Sequence, residues 1–159
     1  MGAAHRKHGD KHGGFTLVEI LVVAAIVAVG LLGGEALVVT ALAASRSAAL
    51  QTQAVDLVAD LGDRIRANPA AGPAYGLPEG AHLGPPAKAC RVVGECNSAD
   101  LAAVDLYQWQ QAAITALPEV DTVVRVESAG GATHRYSILV RWTATGRPAG
   151  SRVAATVEI

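Results

Sequence analysis

Two carboxylates interrupt an otherwise apolar stretch, GGFTLVEILVVAAIVAVGLLGGEALVV, residues 13–39: Glu19 and Glu35. An ionised side chain within a membrane-length segment costs at least ~2.5 kcal/mol at mid-depth, so Glu19 points to ion pairing in a low-dielectric setting. Other residues able to do chemistry are sparse. Cys90 and Cys96 are the two cysteines, compatible with one disulfide in an oxidising compartment. Beyond residue 14 the histidines are His82 and His134, and neither lies in a nucleophile or metal motif. No phosphate-binding glycine-rich loop occurs, so nothing in the chain points to an enzyme or to a cofactor.

The elements that must position these residues follow from hydrophobic spacing. The chain has 159 residues and a net charge of −1, with 51% hydrophobic residues concentrated between Phe15 and Ala44. Without residues 1–14, which hold Arg6, Lys7 and Lys11 against Asp10, 10 basic and 13 acidic side chains remain, a balance of −3. This is not the footprint of a strongly basic nucleic-acid binder. The apolar run suits one membrane span, since ~20 helical residues cross a ~30 Å hydrocarbon layer. It is longer than the core of a secretory signal, and no A-x-A-like site follows a short core. Basic residues ahead of it place the C-terminal part across the membrane.

Helical periodicity continues past the span. Leu50, Ala54, Leu57, Leu61 and Ile65 form one apolar stripe, with Asp60 and Arg64 as a favourable i,i+4 pair off it. Asn68-Pro69 ends the helix. Residues 69–89 are rich in proline and glycine and read as a loop with little regular structure. Asn97 or Ser98 caps a second helix whose stripe is Ala102, Leu106, Trp109, Ala113 and Leu117, stopped by Pro118. Three segments then alternate at period two: Thr122–Glu127, His134–Thr143 and Arg152–Ile159. Tyr136, Ile138, Val140 and Trp142 share a face, and the turn-rich connectors predict an antiparallel meander. The amphipathic half of the first helix is expected to cover that face.

The GG-FTLVE sequence, residues 13–19, resembles the class III signal of type IV pilins and pseudopilins. The resemblance implies cleavage by a membrane prepilin peptidase between Gly14 and Phe15, N-methylation of Phe15, and assembly into a helical filament. Glu19 then becomes the fifth mature residue, the position implicated in the family in subunit addition. It lies about 6 Å along the helix from the new α-amine. A neighbouring subunit shifted by about one turn would bring its amine to this carboxylate. GLLG at 30–33, ADLGDRIRANPAA at 59–71, Cys90 with Cys96, and DLYQW at 105–109 together resemble PilV-type minor pilins. Glu35 departs from that pattern, as does the histidine-rich leader with His5, His8 and His12.

The expected fold is therefore α+β and type IV pilin-like, a long N-terminal helix packed on a small antiparallel sheet with an additional helix. The expected divisions are a basic leader at 1–14, a membrane-spanning and filament-core helix at 15–44, an amphipathic continuation at 45–68 and a periplasmic domain at 69–159. The implied location is the inner membrane as a single-pass protein, then the surface pilus of a Gram-negative bacterium. The implied partners are the prepilin peptidase, other major and minor pilins, and a tip adhesin. A minor pseudopilin of a type II secretion system is the alternative, and a DNA-uptake pilin is an alternative of another class. Two thiols make a poor structural zinc site, which wants four ligands. A Cys90–Cys96 disulfide is expected across the membrane. Glu35, ~30 Å past Phe15, reads as an interfacial acid near the far side of the bilayer. Tyr107, Trp109 and Trp142 read as packing aromatics. Arg125, Arg135, Arg141, Arg147 and Arg152 interleave with Asp121, Glu127 and Glu158, which favours a solvated sheet face over a nucleic-acid surface.

Overall fold

The computed structural model describes residues 16–92, 94–130, 133–143 and 150–159. In chain order its elements are helix α1 (Leu17–Ala67), a 3-10 turn (Pro69–Tyr75), helix α2 (Ser98–Ala116), and strands β1 (Asp121–Gly130), β2 (Thr133–Trp142) and β3 (Ser151–Glu158). They fall into two compact units that divide after Ala43, with α1 contributing to both.

In the first unit α1 is the only described element. It starts at Thr16-Leu17-Val18-Glu19, where the Glu19 amide donates to the Thr16 hydroxyl at 3.3 Å and to the Thr16 carbonyl at 3.0 Å. Thr16 thus satisfies one of the amide donors left open at a helix start. The T-x-x-E spacing of a capping box was present in the sequence and explains where the helix begins. Leu17, Val18, Ile20, Leu21, Ile26 and Leu32 are all more than half exposed, and no described protein surface covers them. By length and composition α1 is able to cross a membrane.

The second unit, from Ala44 to Ile159, has its own core. The C-terminal half of α1 buries Ala54, Val58, Leu61 and Ile65, one side of the helix at three- and four-residue spacing. These side chains join Tyr136, Ile138, Val140 and Trp142 from β2, Val124 from β1, Val157 from β3, and Ala102, Leu106 and Trp109 from α2. The sheet is antiparallel in the order β1-β2-β3, with Thr122 opposite Val140 and Tyr136 opposite Val157. Because side chains alternate along β2, the face bearing Tyr136, Ile138, Val140 and Trp142 is buried while Arg135 points to solvent. The pilin-like α+β architecture expected from the sequence is the one observed.

Helix α2 begins at Asn97, whose side chain accepts from the Asp100 amide at 2.8 Å. Asp100 returns the bond to the Asn97 amide at 3.1 Å, completing a reciprocal capping box. Lys88 adds an ion pair to Asp100 at 2.6 Å. Asn97→Ala should lower unfolding free energy by about 1 kcal/mol. Urea titration of the domain measures this, and an unchanged midpoint would show that the cap carries no stability.

The proline- and glycine-rich stretch is a correction to the expected loop. Its first part, Pro69–Tyr75, is a 3-10 turn, and Leu77 forms an isolated antiparallel bridge with Val124. Tyr75 and Leu77 are buried, at 0% and 1% exposure. The physical reason is Gly72, whose φ of 52° reverses the chain beside His134. A side chain there would place its Cβ 3.1 Å from His134 Nε2, so glycine supplies both the left-handed backbone and the clearance. Tyr136 then donates to the Gly72 carbonyl at 3.2 Å. Residues rated as loop formers by composition here carry a core tyrosine under the sheet.

Candidate functional site

The N-terminal site divides across the boundary of the described residues. Gly14 and Phe15, the expected cleavage pair and methylation position, lie outside them, as do His5, His8 and His12. Glu19 stands in the first turn of α1, exposed. A carboxylate there is favoured by the open amides and the positive end of the helix dipole. Glu35 is likewise exposed on α1. Neither carboxylate has an ion pair among the described residues.

Cys90 and Cys96 are joined by a disulfide with their Cα atoms 5.5 Å apart. The loop they close is tight: Cys90 and Gly94 both have positive φ, 52° and 84°. Glu95 organises it further, its carboxylate accepting from the Arg91 and Val92 amides at 3.0 and 3.3 Å. Val92 is 69% exposed at the surface of this loop.

Of the second polar constellation only the Asp60–Arg64 pair was expected from the sequence. At the end of α1 the Arg64 guanidinium donates to Asp60 at 3.0 Å, to Asp105 at 3.2 Å and to Gln108 at 3.3 Å. The Tyr75 hydroxyl donates to the other Asp105 oxygen at 2.6 Å. Asn68 donates to the Tyr75 oxygen at 3.3 Å and to the Ser98 carbonyl at 2.9 Å. Burial, reinforced by the Asp105 hydrogen bond, pushes the Tyr75 phenol well above its ordinary value, so it stays a neutral donor. This network joins the stretches at 59–71 and 105–109. Nearby, the Trp109 indole N–H donates to the Leu57 carbonyl at 2.7 Å. These residues fasten α1, the 3-10 turn and α2 together.

Gln110 was also missed by sequence reasoning. It is buried and donates to the Ala81 carbonyl at 2.7 Å and to Thr122 at 3.1 Å, while accepting from the Leu83 amide at 2.8 Å. The one available signal was a glutamine falling beside the Ala102–Leu106–Trp109 stripe.

The strand arginines are divided. Arg141 pairs with both Glu79 and Asp121, and Arg135 with Glu158 at 3.4 Å. Arg125 and Arg152 are exposed, and Arg147 lies outside the described residues. Hydrogen bonding from Arg141, more than the opposing effect of burial, holds the Asp121 carboxyl below its ordinary value; the Gly80 amide assists at 3.2 Å. Because the folded-state value is depressed, this pair contributes fully above the unfolded aspartate value of about 3.9 and is lost as pH falls through the lower, folded one. The denaturation midpoint should drop below about pH 4, and less steeply in Arg141→Gln. Parallel acid profiles of the two proteins would contradict the assignment.

Among the described residues no group of three histidine, cysteine, aspartate or glutamate side chains could hold a metal. An open groove between α1 and β3 is lined by Val55, Val58, Gly62, Val153 and Val157, with Asp63 and Arg66 at its rim. Asp63 and Arg66 are paired to one another at 2.7 Å, so the groove presents apolar surface rather than reactive groups.

Comparison with known families gives two matches. Residues 10–34 match the prokaryotic N-terminal methylation motif, covering Gly14, Phe15 and Glu19. Residues 36–107 match a family described as type IV pilin Tt1218, covering the amphipathic half of α1, the disulfide loop and the Arg64–Asp105 network. No curated protein and no solved structure matches the chain. The methylation motif, the adjoining pilin match over 72 of the 159 residues and the long helix beside a three-stranded sheet make this chain similar to type IV pilins.

Proposed function

We propose that this is a minor pilin of the PilV kind, acting in type IV pilus assembly and in presentation of an adhesive tip. The prepilin is anchored in the inner membrane by 15–44, with 1–14 as the leader, 45–68 as the amphipathic continuation and 69–159 as the periplasmic domain. The prepilin peptidase cuts between Gly14 and Phe15, Phe15 is N-methylated, and the subunit leaves the membrane for the filament. There it meets major and other minor pilins. The role is structural and priming rather than catalytic.

One observation carries this reading. The methylation motif runs directly into a helix whose described apolar side chains are exposed through Ala43, ahead of a unit with a core of its own. Such a surface needs lipid or other helices around it. Both environments are supplied in turn if the subunit moves from bilayer to filament. Shearing surface pili from cells carrying a tagged chain tests the proposal. The tagged protein is expected in the sheared fraction, and to vanish from it when the prepilin peptidase is deleted. Retention in the membrane fraction of normally piliated cells would overturn the assignment, and recovery only with a secretion pseudopilus would replace it.

A further inference from the structure

We propose that the outer edge of β3 is a docking site for an extended segment of another polypeptide, which adds as an antiparallel strand and sets an acidic residue beside Arg152; that the segment comes from another filament subunit rests on the reading above. The two edges of the sheet differ. On the β1 side Leu77 exchanges two backbone bonds with Val124, each at 2.9 Å, and the Gly80 amide donates to Asp121. On the β3 side His134 and Ile159 exchange both backbone bonds, at 2.7 and 3.0 Å. Bonded pairs alternate along an antiparallel ladder, so Ser151, Val153, Ala155 and Val157 bond to β2. The amides and carbonyls of Arg152, Ala154, Thr156 and Glu158 then face away from it, and all four residues are exposed. Among the described residues none bonds to these outward groups. Native edges are guarded by proline, charge or a bulge. Between Arg152 and Glu158 this one has no proline and no charge, and its register with β2 is unbroken.

The surroundings of the edge define what fits it. On one face lies the open groove floored by Val55, Val58, Val153 and Val157. Side chains of an added strand alternate between faces, so apolar residues at every second position would enter this groove. On the other face Arg152 stands directly opposite Arg141, whose own charge is met by Glu79 and Asp121. Arg152 has no carboxylate partner among the described residues. Like charges directly opposite weaken a sheet and opposite charges strengthen it, so a carboxylate on the added strand supplies the missing sign. At the far end Glu158 is already met by Arg135 at 3.4 Å. Arg125 is exposed too, but it stands on β1, two strands from this edge. The occupant is therefore an apolar-alternating strand with an acid at the Arg152 end. Antiparallel addition continues the order of the sheet.

The probe is a labelled synthetic peptide of alternating threonine and valine ending in glutamate, Thr-Val-Thr-Val-Thr-Val-Glu, added to the full chain in detergent micelles. Paired antiparallel from Glu158 to Arg152, it turns its valines to the groove and sets its glutamate opposite Arg152. Fluorescence anisotropy should show saturable binding. Arg152→Glu should weaken it about fivefold, and a peptide ending in lysine should recover the loss on that variant. Thr156→Pro should abolish binding with little change in the denaturation midpoint, because it removes an amide that faces away from β2. Absence of saturable binding, or equal binding to wild type and Arg152→Glu, overturns the proposal. In piliated cells, a photo-reactive amino acid in place of Ala154 should cross-link the chain in sheared filaments to an extended, acid-bearing segment of a neighbouring subunit. Cross-linking to a helix, or undiminished cross-linking when Thr156→Pro is added, also overturns it. Peptide binding by a chain that never enters filaments would instead overturn the filament reading, and with it the source of the segment.

Discussion

Glu19→Ala is expected to insert in the membrane and be cleaved normally, yet to enter filaments about tenfold less often or worse. The magnitude follows from an unpaired charge in a low-dielectric setting, which costs at least ~2.5 kcal/mol, where one tenfold step is 1.4 kcal/mol. In the proposed assembly the α-amine that cleavage would create at Phe15 and the Glu19 carboxylate of a neighbouring subunit would each lack a partner until they meet. Removing the carboxylate leaves the amine of the incoming subunit unpaired. The structure adds a competing explanation, since Glu19 also sits at the third position of a helix capped by Thr16. Loss of a cap costs about 1 kcal/mol and acts on helix stability, not on subunit addition. Glu19→Gln separates the two, because glutamine serves in a capping box but carries no charge. Incorporation should fall nearly as far in Glu19→Gln as in Glu19→Ala. Normal incorporation of Glu19→Gln, with loss in Glu19→Ala, would make Glu19 a helix-start residue and nothing more.

Trp109→Ala should be the most damaging single change to the domain, at about 3–5 kcal/mol. Trp109 is fully buried in the cluster shared by α1, α2 and the sheet. Its indole N–H donates to the Leu57 carbonyl on α1, fifty-two residues away in the chain. Truncation therefore opens a cavity and removes a tie between the two helices. Trp109→Phe keeps most of the apolar volume and loses the donor, and should cost about 1–3 kcal/mol. Denaturant unfolding of the unit beginning at Ala44 measures both. If the two variants were equally destabilised, the hydrogen bond rather than the packing would be the source of stability.

Legibility in the sequence followed the periodicity. Leu61 and Ile65 on α1, Leu106 and Trp109 on α2, and Tyr136 through Trp142 on β2 all lie in the core, because helices and strands repeat at fixed intervals and burial selects one side. Asn97 was legible as a cap for the same local reason, its partner Asp100 being three residues away. Contacts between segments distant in sequence were not legible. Tyr75 is buried because Gly72 turns the chain beneath β2, and Leu77 pairs with Val124 across forty-seven residues. No local pattern announces either, and proline and glycine content pointed the other way. The Arg64–Asp105–Tyr75 network has the same character: each residue alone is an ordinary surface type, and only the fold brings them within hydrogen-bond distance.

Mass analysis of the mature N-terminus distinguishes a processed pilin subunit from an uncleaved membrane-anchored protein. A polypeptide beginning at Phe15 and carrying one methyl group on its α-amine is expected. A mature protein that begins at Met1, or that is cut anywhere other than between Gly14 and Phe15, would contradict that expectation.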